Sequence, residues 1–173
     1  MYNSVLDLID FRSFSNVWFW LMLALVWMLA GQRVLGMPWD MALRARRGDA
    51  ETVREFETMA WIGAVRVLRM AAEGEVWIIA GAAFLLTVLM VSGFFYRIEV
   101  AQALFLLLVP LVPVWLLAQR TARAVIEDEL TAEALYKRLS RYRLAVQGIG
   151  ALAIFVTALW GMLYNLGNSS FGW

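Results

Sequence analysis

The sequence predicts an all-α integral membrane protein with four transmembrane helices, and three observations carry that prediction. First, 62% of its 173 residues are hydrophobic and only 17% charged, with a mean hydropathy of +0.69, against about 45–50% apolar and about 25% charged in ordinary soluble domains. A soluble fold of this length buries only about 70% of its unfolded surface, so the excess would leave large apolar patches in water. Second, four stretches come close to the roughly 20 apolar residues that a helix needs to cross about 30 Å of hydrocarbon. Third, the basic residues between those stretches fall mostly on one side.

The first span covers about 17–35. Its core WFWLMLALVWMLAG carries no charge from Val17 to Gly31, and Gln32 and Arg33 follow where side chains can snorkel to headgroups. Asp7 and Asp10 precede it, with Arg12 the one base, so the pattern reads as a retained span and not as a cleaved signal peptide. The second, about 76–96, has no charged residue at all. Only Arg97, Ile98 and Glu99 separate it from the third, about 100–117, which makes the pair a tight antiparallel hairpin. The fourth covers about 144–166 and ends at the polar tail GNSSFGW.

Short basic loops stay in the cytoplasm. Of the 15 Lys and Arg, thirteen lie in the two long connections, from Arg33 to Arg69 and from Arg120 to Arg143; Arg12 and Arg97 lie on the other side. Both termini are therefore expected to face away from the cytoplasm, with the long connections in it.

Those connections read as helices. Over 49–73, Val53, Phe56, Ala60, Gly63, Ala64, Val67 and Ala71 recur at helical spacing, opposite Arg54, Glu55, Arg66, Arg69 and Glu73, with Asp49 as N-cap. Such an amphipathic helix is expected to lie in the interface of an anionic membrane, to pack on the protein's own bundle, or to dock a partner. Over 118–143 the third and fourth helices are expected to continue beyond the membrane. Thr131 caps the returning helix, Arg123 pairs with Glu127, the acidic cluster Glu127, Asp128 and Glu129 lies farthest out, and Arg138, Arg141 and Arg143 lie near the headgroups.

Chemistry has little to stand on in this chain. Without Cys or His there are no disulfides, thiolate nucleophiles or iron–sulfur ligands, and most zinc sites are excluded. A net charge of +1 gives no footing for nucleic acid. Apart from Arg33 at the end of the first, no span holds a charged residue, the usual mark of a transport or proton path. Glu99 at the hairpin tip is expected to pair with Arg97. Pro110 and Pro113 are expected to kink the third span and to free the carbonyls of Leu106 and Val109. Gly81, Ala82 and Ala83, with Gly148, Gly150 and Ala151, are expected to bring spans two and four together. Most Trp and Tyr fall toward span ends, as interfacial belts require, with Trp27 and Trp160 deeper. No cofactor, metal or catalytic residue is expected.

The opening MYNSVLDLIDFRSFSNVWFW, the stretch MPWDMALRARRGD and the ending QGIGALAIFVTALWGMLYNL resemble a small group of uncharacterised four-span inner-membrane proteins of alphaproteobacteria. Some members of that group carry a label tying them to the Suf iron–sulfur assembly complex. The resemblance implies a four-span membrane fold over nearly the whole chain, and it carries over no functional residue because it contains no catalytic motif.

The expected function is a non-enzymatic accessory, assembly or scaffold subunit. Its partners would be membrane lipids and either another inner-membrane protein or a second copy of itself. Arg66, Arg69, Arg138, Arg141 and Arg143 form the lipid or partner surface. The alternative is a small oligomeric transporter or channel lined by kinked third spans.

Overall fold

The computed structural model describes residues 14, 16–48, 50–128 and 130–169. The expected N-cap Asp49, Glu129 of the acidic cluster, the residues before Phe14 and the last four residues lie outside them. Among the described residues the chain is all-helical apart from one short hairpin, and three helices are long and apolar enough to cross a membrane, by their stretches Val76–Phe95, Glu99–Glu127 and Ala132–Leu166.

Helix α1 (Val17–Gln32) opens where the Asn16 side chain accepts the Trp18 amide at 3.0 Å. It has 16 residues, ends before Arg33 and is shorter than those three stretches. The 33–35 end of the expected first span is instead the start of a hairpin, in which β1 (Arg33–Val34) pairs antiparallel with β2 (Met37–Pro38). Leu35 (φ 51) and Gly36 (φ 83) both take positive φ, the signature of a type I′ turn. A buried Leu seldom adopts that conformation. It is held there by α3, because Gly63 has no Cβ to obstruct the Leu35 carbonyl.

That close approach supplies a test. Gly63→Ala would ordinarily favour a helix by about 1 kcal/mol, but here the methyl would collide with a backbone oxygen that cannot turn aside. A net loss of about 1–3 kcal/mol is expected from overpacking, read as a lower thermal midpoint in mild detergent; a gain would show that the hairpin does not rest on α3.

Helix α2 (Trp39–Ala45) follows directly, with Asp40 in its first turn paired to Arg44 at 3.2 Å. Helix α3 (Ala50–Met90) runs unbroken for 41 residues, about 60 Å, roughly twice the hydrocarbon thickness. The amphipathic helix is therefore the polar half of the same rod as the second apolar stretch. It is not a separate helix, and its Phe56, Ala60, Gly63, Ala64 and Ala71 are buried within the protein.

At its far end α3 widens into one π-helical turn, Val91–Phe95, and the chain reverses through Arg97 (φ 57) into α4 (Glu99–Leu108). The third apolar helix is broken once, at Val109–Pro110, before α5 (Leu111–Glu127). Pro113 sits in the first turn of α5, where an amide has no helical acceptor to lose. The Val109 carbonyl accepts the Val112 amide at 3.1 Å, so of the two carbonyls expected to be freed only that of Leu106 loses its partner to a proline ring. Helix α6 (Ala132–Ser169) begins beside Thr131, whose carbonyl accepts the Leu135 amide at 2.8 Å.

The apolar halves form an open row in which α1 packs on α6, α6 on α4–α5, and α4–α5 on α3. Spans two and four do not meet through their small residues: Gly81 and Gly148 have no other side chain within 4 Å, and Gly150 receives the ring of Trp27 from α1. The larger core belongs to the polar halves, where Phe56, Ala42, Ala122, Leu135, Leu139 and Val146 close together under the hairpin. The apolar row holds a smaller one of Leu23, Trp27, Leu107 and Ala153.

Candidate functional site

Two constellations of polar side chains stand out, one on each half. On the polar half, Arg143 of α6 donates from Nε to the Gly31 carbonyl at 3.2 Å, and its guanidinium lies 5.0 Å from the centre of the Trp39 ring. Trp39 packs on Tyr136 with ring centres 5.5 Å apart, and Arg46 covers the other ring at 5.2 Å. The result is a ladder, Arg143–Trp39–Tyr136–Arg46, that clamps α2 to α6 and ties both to the end of α1. Each cation–π step contributes on the order of 0.5–1 kcal/mol where water has access.

Beside the ladder lies a cavity of about 530 Å³, with Ala42, Ala45 and Phe56 on its floor and Arg46, Glu133 and Lys137 on its rim. Lys137 and Glu133 pair at 2.7 Å across one helical turn. The hydrogen bond and charge of Lys137, with Arg46 adding a smaller share, hold the Glu133 carboxyl below its ordinary range. Both partners are mostly solvent-exposed, so the pair fixes local geometry more than stability.

The apolar half holds the second constellation, around the π turn. Gln102, buried one turn into α4, donates from Nε2 to the Gly93 carbonyl at 2.7 Å and accepts from Trp160 Nε1 at 2.9 Å. A π turn leaves a carbonyl without its helical amide, and a buried apolar setting has no water to supply a donor. Gln102 supplies it and joins α3, α4 and α6 at one point. Gly93 is required there, since a Cβ would stand 2.8 Å from the Gln102 amide nitrogen. Nearby, Glu99 accepts the Phe14 amide at 2.6 Å and does not pair with Arg97 as expected. The reason is geometric: the left-handed Arg97 directs the chain into α4 so that the carboxylate meets the segment entering α1.

The expected surface arginines do not form one cluster of equal members. Arg66 and Arg69 are exposed on α3, Arg141 is exposed on α6, and Arg138 and Arg143 are half-buried. Arg143 is engaged in the ladder, while the others form no ion pair among the described residues. Arg123 likewise does not pair with Glu127. At the proline break, a groove of about 290 Å³ runs between α4–α5 and α6, lined by Leu106, Pro110, Pro113, Ala153 and Thr157 among others. Its one hydroxyl, that of Thr157, already donates to the Ala153 carbonyl at 2.7 Å.

No three His, Cys, Asp or Glu side chains converge on a metal-sized site among the described residues. Sequence reasoning missed Gln102, a lone amide inside an apolar run and therefore visible, and it missed the Arg46–Tyr136 contact, whose partners lie in different connections. Comparison with protein-family models, with curated proteins and with solved structures returns no match.

Proposed function

We propose that the chain is a multi-pass protein of the bacterial inner membrane without catalytic activity of its own, an accessory, assembly or scaffold subunit that engages another membrane protein. In this reading all four apolar helices lie in the bilayer, the polar halves face the cytoplasm and both termini face the periplasm. The thirteen-to-two division of bases supports that orientation. The likeness of its opening, of the stretch MPWDMALRARRGD and of its ending to the four-span alphaproteobacterial group supports the inner-membrane placement.

The observation that carries the scaffold reading is the open row. Val76–Phe95 stands at one edge with Trp77 83% exposed and Gly81 clear of any neighbour, whereas the polar half is closed around its own core. Helices in lipid associate by close van der Waals packing at small residues, and an edge span with Gly81 open to its surroundings suits that contact.

Purification from native membranes in mild detergent tests this. A second membrane protein in fixed stoichiometry is expected, and Gly81→Phe is expected to reduce its recovery severalfold. Recovery of homo-oligomers alone, together with ion or solute flux in proteoliposomes that disappears in Pro110→Ala, would instead promote the transporter. The orientation is checked separately: a reporter inserted at Gly48 should be active only in the cytoplasm and one after Trp173 only in the periplasm.

A further inference from the structure

Between α3 and α5 runs a trough of about 470 Å³ whose walls are wholly apolar, formed by Ile78, Ala82, Leu86, Leu111 and Trp115 among others. It lies within the apolar halves, and its walls end nearest the polar ones at Ile78 on α3 and Leu116 on α5. Along α5, Val112, Leu116, Arg120 and Arg123 fall on one face, at intervals of four and three residues. Arg120 therefore stands about 6 Å and Arg123 about 10 Å beyond the last wall residue on the same helix face. Both are exposed, and neither forms an ion pair among the described residues. Their position contrasts with that of Arg143 and Arg46, whose guanidinium groups rest on aromatic rings.

We infer that this trough with its two arginines is a binding site for one anionic glycerophospholipid. An acyl chain fills the apolar trough, and the phosphate of the headgroup meets Arg120 and Arg123 at its mouth. The two halves of the argument are independent. The trough demands a long apolar ligand, and the unpaired guanidinium groups demand an anion attached to its end. Arginine suits a phosphodiester because its planar fork presents paired N–H donors. A second transmembrane helix would satisfy the trough and leave both charges unanswered. The inference rests on the membrane placement proposed above, and it assigns the lipid to a defined site.

The full-length protein, delipidated in mild detergent and offered equal amounts of phosphatidylglycerol and phosphatidylcholine, tests it by native mass spectrometry. One phosphatidylglycerol is expected to be retained in roughly thirtyfold preference, as two bases at about 1 kcal/mol each near an anionic headgroup imply. Arg120→Gln with Arg123→Gln, both at exposed positions, is expected to bring the two lipids near parity. Ala82→Phe, which fills the trough, is expected to abolish retention of both while circular dichroism stays unchanged. Parity in the wild type, or an undiminished preference in the double variant, overturns the site. Flotation with phosphatidylcholine vesicles separates the two levels of inference. Protein that floats but shows no preference loses the site and keeps its membrane placement, whereas protein that does not float loses both.

Discussion

Replacing Phe56 with alanine is expected to cost about 3–5 kcal/mol of stability, the range for a large buried aromatic whose site cannot collapse. Phe56 is 1% exposed on the face of α3 that meets Ala42 and Ala45 of α2 and Leu135 and Leu139 of α6. Its neighbours on α2 are alanines, too short to reach into the space it leaves, and the existing cavity beside Arg46 and Tyr136 would extend into that space. The effect should stay in the polar half, because α3 is continuous but its apolar stretch draws on other contacts. Limited proteolysis should therefore open the segments near Gly48 and Asp128 before the apolar stretches are touched. Met59→Ala, at an exposed position on the same helix, is the control and should change stability by less than about 0.5 kcal/mol. Equal effects from the two would mean that α3 does not use the Phe56 face for packing.

That same face shows how far the sequence could be read. The spacing of Phe56, Ala60, Gly63, Ala64 and Ala71 was enough to mark a buried stripe, because a 3.6-residue period repeats locally and needs no knowledge of the partner. What covers the stripe was not legible. The partners are Leu135 and Leu139, some eighty residues away, and a hairpin whose Leu35 adopts a conformation that propensity argues against. Chain continuity was equally hidden: Glu73, Gly74 and Glu75 look like a boundary between a surface helix and a span, yet α3 runs through them. Nothing in local composition distinguishes a joint from a helix that passes from an apolar stretch into a polar one and continues.

The proline pair illustrates the same limit from the other side. Each proline alone removes an amide, so two of them suggest two defects. The backbone combines them into one break, with Pro113 placed in the first turn of the next helix, where the missing amide costs nothing. Small residues were legible as permissive positions but not as contacts. Gly150 admits Trp27, while Gly81 and Gly148 remain open.

Gln102→Leu is expected to destabilise the apolar half by about 2–4 kcal/mol, more than a single hydrogen bond in a bilayer usually contributes. Measured interhelical bonds in membranes average near 0.6 kcal/mol, with a maximum of about 1.7, because alternative partners are found when one is lost. Here the alternatives are closed. The Gly93 carbonyl belongs to a π turn and sits against the α4 backbone, and the Trp160 indole is fixed by ring contact with Phe94 at 5.3 Å. Removing the amide leaves a carbonyl and an indole N–H unsatisfied together where water does not reach, and each such group costs several kcal/mol in the limit of no relaxation. A double-mutant cycle with Trp160→Phe isolates the indole bond. Its coupling energy should fall between about 0.5 and 1.7 kcal/mol, and the remainder of the Gln102→Leu loss belongs to the Gly93 carbonyl. The thermal midpoint in mild detergent gives each corner of the cycle. Zero coupling would mean that Trp160 does not bond Gln102, and a Gln102→Leu variant as stable as wild type would mean that the π turn satisfies its own carbonyl, removing the reason for a polar side chain at that depth.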